Sequence, residues 1–283
     1  MEGYVHAGIA RTQRQLSLAP QIDRLVNPVK AKMQAGEVAL GMPVRLARSG
    51  DIARIAKTTG HDFIFIDCQH SLFNLETIGH IASTALSIGV APLVRVRGID
   101  DPDVSLLLDT GALGIVYPDV ANAAQAKRAV DICKFAPLGK RSVTTGYPQF
   151  DYRSAPLTES VPQFNDACLL VCMIETVEGL ENVEAIAAVD GVDVLHLGSN
   201  DLLANMGKPG QFDDPVLVAA QERLIAACRK HGKFAGSGGN RDVARQLDLV
   251  RKGCLFLTTQ SDIGFLSAAA SAWTKGIRER LKN

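Results

Sequence analysis

Cys168-Leu169-Leu170-Val171-Cys172-Met173-Ile174-Glu175 is an apolar run that ends on an acid, and Val192-Asp193-Val194-Leu195-His196-Leu197-Gly198-Ser199-Asn200-Asp201 ends on another, 26 positions further on. That interval is about one strand, one helix and one strand. If the strands are parallel neighbours, their backbones lie roughly 4.8 Å apart and both carboxylates emerge on the same rim. Two oxygen ligands there, with room left for water and substrate, suit Mg2+ or Mn2+ better than a closed protein cage would. The alternative is that each acid caps or charges the start of a helix, since both precede helix-like stretches. The pair together points to metal chemistry.

Working outward, apolar β-rich runs recur at eight places: 38–46, 62–69, 91–97, 114–120, 167–175, 192–199, 233–238 and 254–260. Several are almost continuously apolar, as strands buried on both faces are. Helix-like stretches separate them at 74–87, 101–108, 122–134, 178–188, 214–230 and 242–252, with a last one over 263–281. Eight alternating units predict an α/β fold of the (β/α)8 TIM-barrel type. A doubly wound sheet is the competing architecture, but no Gly-rich dinucleotide fingerprint follows the first strand. The barrel is assigned to residues 27–283. Residues 1–26 form an N-terminal extension without a clear strand, packed on the barrel or on a neighbour. Residues 142–166 read as the longest connection, and connections of that length in compact domains tend to be lids or ordered excursions.

Composition narrows the function classes. The chain has 283 residues, 47% of them hydrophobic, and its 30 basic residues balance 30 acidic ones. That balance gives no electrostatic footprint for nucleic acid or for an anionic membrane surface. No apolar run reaches the ~20 residues of a membrane span, and the N-terminus has no signal-peptide core. The six cysteines (68, 133, 168, 172, 228 and 254) lack C-x-x-C spacing, which reads as reduced thiols in a cytoplasmic protein.

Active sites of such barrels lie at the C-terminal ends of the strands, and polar residues gather there. Strand 2 ends Asp67-Cys68-Gln69-His70 and strand 3 ends Arg95-Val96-Arg97. Glu175 closes strand 5, and Asp201 follows strand 6. His70 is suited to acid–base work near neutrality, with Asp67 placed to orient its imidazole. A lone histidine is otherwise often structural, and His196 is placed to line the barrel core. Arg95 and Arg97, two apart, share one face of a strand, and a guanidinium aimed into a dry barrel requires an anion. Gly198-Ser199-Asn200 opens a helix with free backbone N–H groups that can hold a carboxylate.

At this point the chain resembles the HpcH/HpaI aldolase/citrate lyase family of pyruvate kinase-like barrels, over roughly residues 27–273. The carriers are Asp67-Cys68-Gln69-His70, Pro92-Leu93-Val94-Arg95, Leu106-Leu107-Leu108-Asp109-Thr110-Gly111-Ala112, Val116-Tyr117-Pro118, Pro137-Leu138-Gly139-Lys140-Arg141, Ile174-Glu175-Thr176 and Gly198-Ser199-Asn200-Asp201-Leu202. The resemblance implies an aldolase working through a pyruvate enolate. It also implies a divalent ion (Mg2+, Mn2+ or Co2+) on Glu175 and Asp201, and Arg95 on the keto acid. His70 then serves as acid/base, with Asp109 as its partner. Barrel geometry puts Asp109 near the opposite rim, so it meets His70 only from an adjoining subunit. The resemblance further implies a homo-oligomer, trimer or hexamer, with an exchanged C-terminal helix.

Three positions depart from the family pattern: Gln69 replaces a glutamate, Met173 a glutamine, and Gly198-Ser199-Asn200 a Gly-Pro-Ala or Gly-Pro-Ser motif. Gln69 removes a negative charge beside the histidine. These departures, with the N-terminal extension, lean toward the branch that includes macrophomate synthase. The expected reaction is cleavage or formation of a 4-hydroxy-2-keto acid, giving or joining pyruvate and an aldehyde, with oxaloacetate decarboxylation as a side activity. The alternatives are decarboxylation followed by addition, a lyase acting on a CoA thioester, and a barrel that only binds a keto acid.

Overall fold

The computed structural model describes residues 23–282. Eight strands close into a barrel in chain order: β1 Ala39–Val44, β2 Phe63–Asp67, β3 Ala91–Arg95, β4 Gly114–Tyr117, β5 Leu169–Ile174, β6 Val194–Gly198, β7 Phe234–Gly238 and β8 Cys254–Thr258. Every neighbouring pair is parallel, and β8 returns to β1 with Ala39 opposite Phe256. The (β/α)8 TIM barrel expected from the eight runs is the architecture observed.

The helices are α1 Pro28–Gln34, α2 Asp51–Thr58, α3 Leu75–Ser87, α4 Val104–Asp109, α5 Ala123–Cys133, α6 Leu157–Ala167, α7 Val177–Glu181, α8 Val183–Ala187, α9 Ser199–Asn205, α10 Pro215–His231, α11 Val243–Lys252 and α12 Asp262–Arg280. Local chemistry sets their ends. The side chains of Asn74, Asn122, Thr176, Asp242 and Ser261 each accept a backbone N–H in the first turn that follows, satisfying donors that the helix leaves unpaired. Gly232 and Gly253 end α10 and α11 in the left-handed conformation.

Two stretches differ from expectation. Residues 142–166 are not one irregular connection: a 3-10 turn spans Pro148–Phe150, and α6 follows. The helix expected over 178–188 is broken at Asn182, whose side-chain Nδ2 donates to the Ala121 carbonyl at 2.9 Å. The extension over residues 1–26 lies almost entirely outside the described residues.

The period-two alternation of the strands fills the barrel in layers and delivers polar groups to its top. On β2, Phe63, Phe65 and Asp67 share one face. Phe63 stacks on Phe256 at 4.5 Å between centroids, and Gly41 opposite leaves the room, since a Cβ there would overlap the Phe63 ring. Above it, His196 packs edge-on to Phe256 at 5.5 Å and near Phe65 at 6.5 Å. Each such buried ring contributes roughly 2–3 kcal/mol. The next residues along the same faces are Asp67 on β2 and Glu175 just past β5, so the aromatic floor becomes a charged ceiling.

Candidate active site

At the C-terminal end of the barrel a cleft of ≈ 270 Å³ is lined by Asp67, His70, Arg95, Glu175, Gly198, Ser199, Asn200 and Asp201, with Arg45, Met173, His196 and Arg241 among the other walls. The residues picked from the sequence as site candidates are therefore in one cavity, except Gln69, Arg97 and Asp109.

Arg95 is fixed by its register partner. Asp67 lies directly across from it on β2, accepting from Nε at 3.0 Å and from Nη2 at 2.7 Å. This two-point pair is planar and directional. Burial alone would raise the Asp67 carboxyl, but the hydrogen bond and charge of Arg95 outweigh it and hold its pKa below the ordinary value. Asp67 also accepts the backbone N–H groups of Gln69 and His70, both at 3.2 Å, and lies 3.4 Å from Arg45 Nε. Its described bonds thus order the turn that carries His70 and the Arg95 guanidinium, rather than the imidazole it was expected to orient. His70 is exposed at the mouth, where its carbonyl accepts from Arg45 Nη2 at 3.2 Å.

Arg97 does not share the site. β3 ends at Arg95, and beyond it Arg97 turns outward to pair with Asp101 and Asp103. The expectation that both arginines point inward fails because the strand alternation stops one residue too soon.

Glu175 is 2% exposed. Its Oε2 accepts the Asp119 backbone N–H at 3.2 Å, and its other oxygen packs against Gly198, where a Cβ would overlap it. Burial, then the nearby charge of Asp119, pushes its pKa up to about 7. Asp201 stands in the first turn of α9 and adds to that repulsion. A buried carboxylate facing further acids, with no ion pair of its own among the described residues, is the donor set that a hard divalent cation stabilises. No group of three or more His, Cys, Asp or Glu fit to bind a metal occurs among the described residues. The Ser199 hydroxyl, beside Glu175 and Asp201, is buried and has no partner among the described residues.

Gln69 leaves the cleft lining and donates from Nε2 to Asp119 Oδ2 at 3.3 Å. Asp109 ends α4, away from this cleft, where the buried guanidinium of Arg141 pairs with it. Within one chain, Asp109 does not meet His70.

Sequence reasoning missed four contributors. Arg45 was absorbed into the first apolar run. Asp119 follows β4 in the left-handed conformation, φ +53°, a turn that strand alternation does not report. Arg241 lies just past the Gly-rich turn after β7. Asp262, at the start of α12, accepts the backbone N–H groups of Arg45, Leu46 and Ala47 at 2.8–3.0 Å and so sets the loop that carries Arg45.

Comparison with known proteins gives the family. Residues 45–268 match the family model for HpcH/HpaI aldolase/citrate lyase. The chain is 38% identical over 268 residues to a 4-hydroxy-4-methyl-2-oxoglutarate aldolase of Chaetomium globosum, covering 91% of this chain and 98% of that protein. It superposes on an HpcH/HpaI aldolase from Desulfitobacterium hafniense with TM-score 0.85 and 31% identity, covering 88% of this chain and 96% of that one. Macrophomate synthase superposes with TM-score 0.79 and 25% identity, covering 95% and 97%. The chain belongs to the HpcH/HpaI aldolase/citrate lyase family.

Proposed function

We propose that this protein is a divalent-metal-dependent aldolase, a carbon–carbon lyase that cleaves or forms 4-hydroxy-2-keto acids through a pyruvate enolate. The observation that carries the reading is the placement of Glu175, Asp201, Arg95 and His70 in one cleft at the catalytic end of the barrel.

Glu175 and Asp201 would hold the metal. When bound, a divalent cation such as Mg2+, Mn2+ or Co2+ supplies Lewis-acid stabilisation of charge on the keto oxygen. Arg95, immobilised by Asp67, presents a fixed guanidinium to the keto-acid end and steadies negative charge as the C3–C4 bond breaks. His70 removes the proton from the C4 hydroxyl, directly or through water, and returns it in the addition direction. Met173 and His196 form a floor without charge: burial pushes the His196 pKa down to about 3. Gly198, Ser199 and Asn200 form the wall beside the acids and contact the substrate. Among the described residues that line the cleft there is no lysine for a Schiff base.

The macrophomate synthase likeness favours a second reading, decarboxylation of oxaloacetate followed by addition to an unsaturated partner, which uses the same enolate. In the homo-oligomer proposed here, trimer or hexamer, α12 crosses to a neighbour. The exposure of Leu266, Trp273 and Ile277 along that helix supports the exchange, and Asp109 would then approach His70 only across an interface. A cytoplasmic setting is supported by six free thiols. No helix among the described residues is long and apolar enough to cross a membrane.

The test is pyruvate release from a panel of 4-hydroxy-2-keto acids and oxaloacetate, with Mg2+ or Mn2+ and then with EDTA. Metal-dependent release is expected. Silence across the panel, oxaloacetate included, would transfer the assignment to thioester cleavage or to keto-acid binding alone.

A further inference from the structure

Packing does not hold the turn that carries His70. No residue from Cys68 to Thr77 is buried, and Leu72 is 94% exposed. Its polar contacts set it instead. From below, Asp67 accepts the backbone N–H groups of Gln69 and His70. From the side, two arginines of the loop after β1 donate to its carbonyls, Arg45 Nη2 to His70 at 3.2 Å and Arg48 Nη2 to Leu72 at 3.0 Å. The Arg48 guanidinium also lies 3.9 Å over the Phe73 ring. Its Nη1 donates to the Arg45 and Ala47 carbonyls, which closes the loop on itself.

That loop is set in turn from the far end of the chain. Asp262 gathers three consecutive N–H groups: Oδ1 accepts from Arg45 at 3.0 Å, and Oδ2 from Leu46 and Ala47 at 2.9 and 2.8 Å. Bonds from backbone donors to an ionised carboxylate are the strong, directional kind. Asp262 opens α12, and of the 19 residues of that helix it alone is buried. The one buried point of the helix is thus the residue that sets the arginines beside His70. Arg95 stands outside this chain of contacts, because its two bonds to Asp67 are direct.

We propose that Asp262 is a positioning residue for His70: through Arg45 and Arg48 it fixes the turn that carries the base and ties that turn to the seat of α12, while the enolate site stands without it. This rests on the aldolase reading above, with His70 as its base. The C4 hydroxyl must meet the imidazole within hydrogen-bond reach for its proton to leave. A loosened turn therefore slows cleavage and spares the enolate chemistry at Glu175, Asp201 and Arg95.

Two reactions of the full-length protein test it, both with Mg2+ or Mn2+: cleavage of 4-hydroxy-2-oxopentanoate, which needs the hydroxyl proton removed, and decarboxylation of oxaloacetate, which needs the enolate alone. Asp262→Asn keeps the size of the side chain and removes the charge that gathers the three N–H groups. It is expected to lower kcat for cleavage about 10- to 100-fold, the scale of a misplaced catalytic group, and to leave decarboxylation within about twofold. A residue that only stabilises the fold would lower both reactions in step with the amount of folded protein. That result, or no change in either reaction, overturns the role of Asp262 while the aldolase reading stands. Arg45→Gln and the double variant test the route. The double variant should lose less than the product of the two single losses, and losses that multiply overturn the route through Arg45. If Asp262→Asn does not fold, Asp262→Glu takes its place: a selective loss of cleavage supports the assignment, and equal losses or none overturn it. No metal-dependent pyruvate from either compound with wild type overturns the aldolase reading, and this inference with it.

Discussion

Asp67 and Arg95 face each other across β2 and β3 and close a two-point ion pair, 3.0 Å from Nε to Oδ1 and 2.7 Å from Nη2 to Oδ2, with Asp67 1% exposed. The strand register makes this pair: residues directly opposite on parallel strands bring their side chains together on the barrel's inner face. It turns a flexible arginine into a fixed one, and it spends the Asp67 charge on positioning rather than on the imidazole of His70.

Asp67→Asn should therefore leave Arg95 present but loose. Expected is a fall in kcat/KM for keto acids of about 10- to 100-fold, read mostly in KM, with a lowered melting temperature because a buried cation loses its partner. Steady-state kinetics with thermal melts check this. Unchanged kinetics would show that Arg95 is held by something else.

Gly198→Ala places a methyl against the Glu175 carboxylate. The barrel should still close, since β6 keeps its ladder to β5 and β7. The displaced carboxylate should weaken metal binding about tenfold or more, as perturbing a ligand's support does. Titration with Mn2+ followed by calorimetry reads the affinity directly; wild-type affinity in the alanine variant would mean that Glu175 is not a ligand.

His70 and the enolate can be separated. Cleavage of a 4-hydroxy acid needs the hydroxyl proton removed, whereas decarboxylation of oxaloacetate does not. His70→Ala should lower aldol cleavage about 10²- to 10⁴-fold, the usual contribution of a general base, and spare oxaloacetate decarboxylation to within a few-fold. Equal losses in both reactions would assign His70 to binding instead.

His196 links stability to pH. Its ordinary value is 6.5, and burial, with Arg95 and Arg241 nearby, lowers it to about 3 in the folded chain. Between those values the unfolded chain takes a proton that the folded chain refuses, so stability is lost as pH falls from 6.5 toward 3. The slope from this one group is at most about 1.4 kcal/mol per pH unit. Denaturant unfolding of His196→Gln across that range should show a shallower pH dependence than wild type. Parallel curves would mean that His196 protonates freely in the native barrel.

The barrel was legible because the signal repeats. Eight apolar runs at βα intervals reinforce one another, and each observed strand lies within its run. Single elements without that reinforcement were not legible. α2 spans only Asp51–Thr58, buries only Ile52, Ala53 and Ala56 and has no side-chain cap at Gly50, so its apolar stripe is too short to stand out between two strands. α6 carries Pro162 in its interior and starts after Pro156, which in sequence looks like a break. In the site, residues anchored at strand ends could be read by position: Asp67, Arg95 and Glu175 follow from strand alternation. Asp119 and Arg241 sit on loops whose backbone turns decide where they go. Asp119 does so in a left-handed conformation that a short polar residue tolerates, and no period of two or of 3.6 reports such a turn.

The proposed reaction makes an enolate at Glu175, Asp201 and Arg95 without a covalent lysine. Exchange of the pyruvate methyl protons in D2O, followed by proton NMR, tests it most directly. The expected exchange needs Mg2+ or Mn2+, is abolished by EDTA and by Glu175→Ala, and survives borohydride treatment in the presence of pyruvate. Exchange that persists in EDTA and is destroyed by borohydride would contradict it and point to a Schiff base.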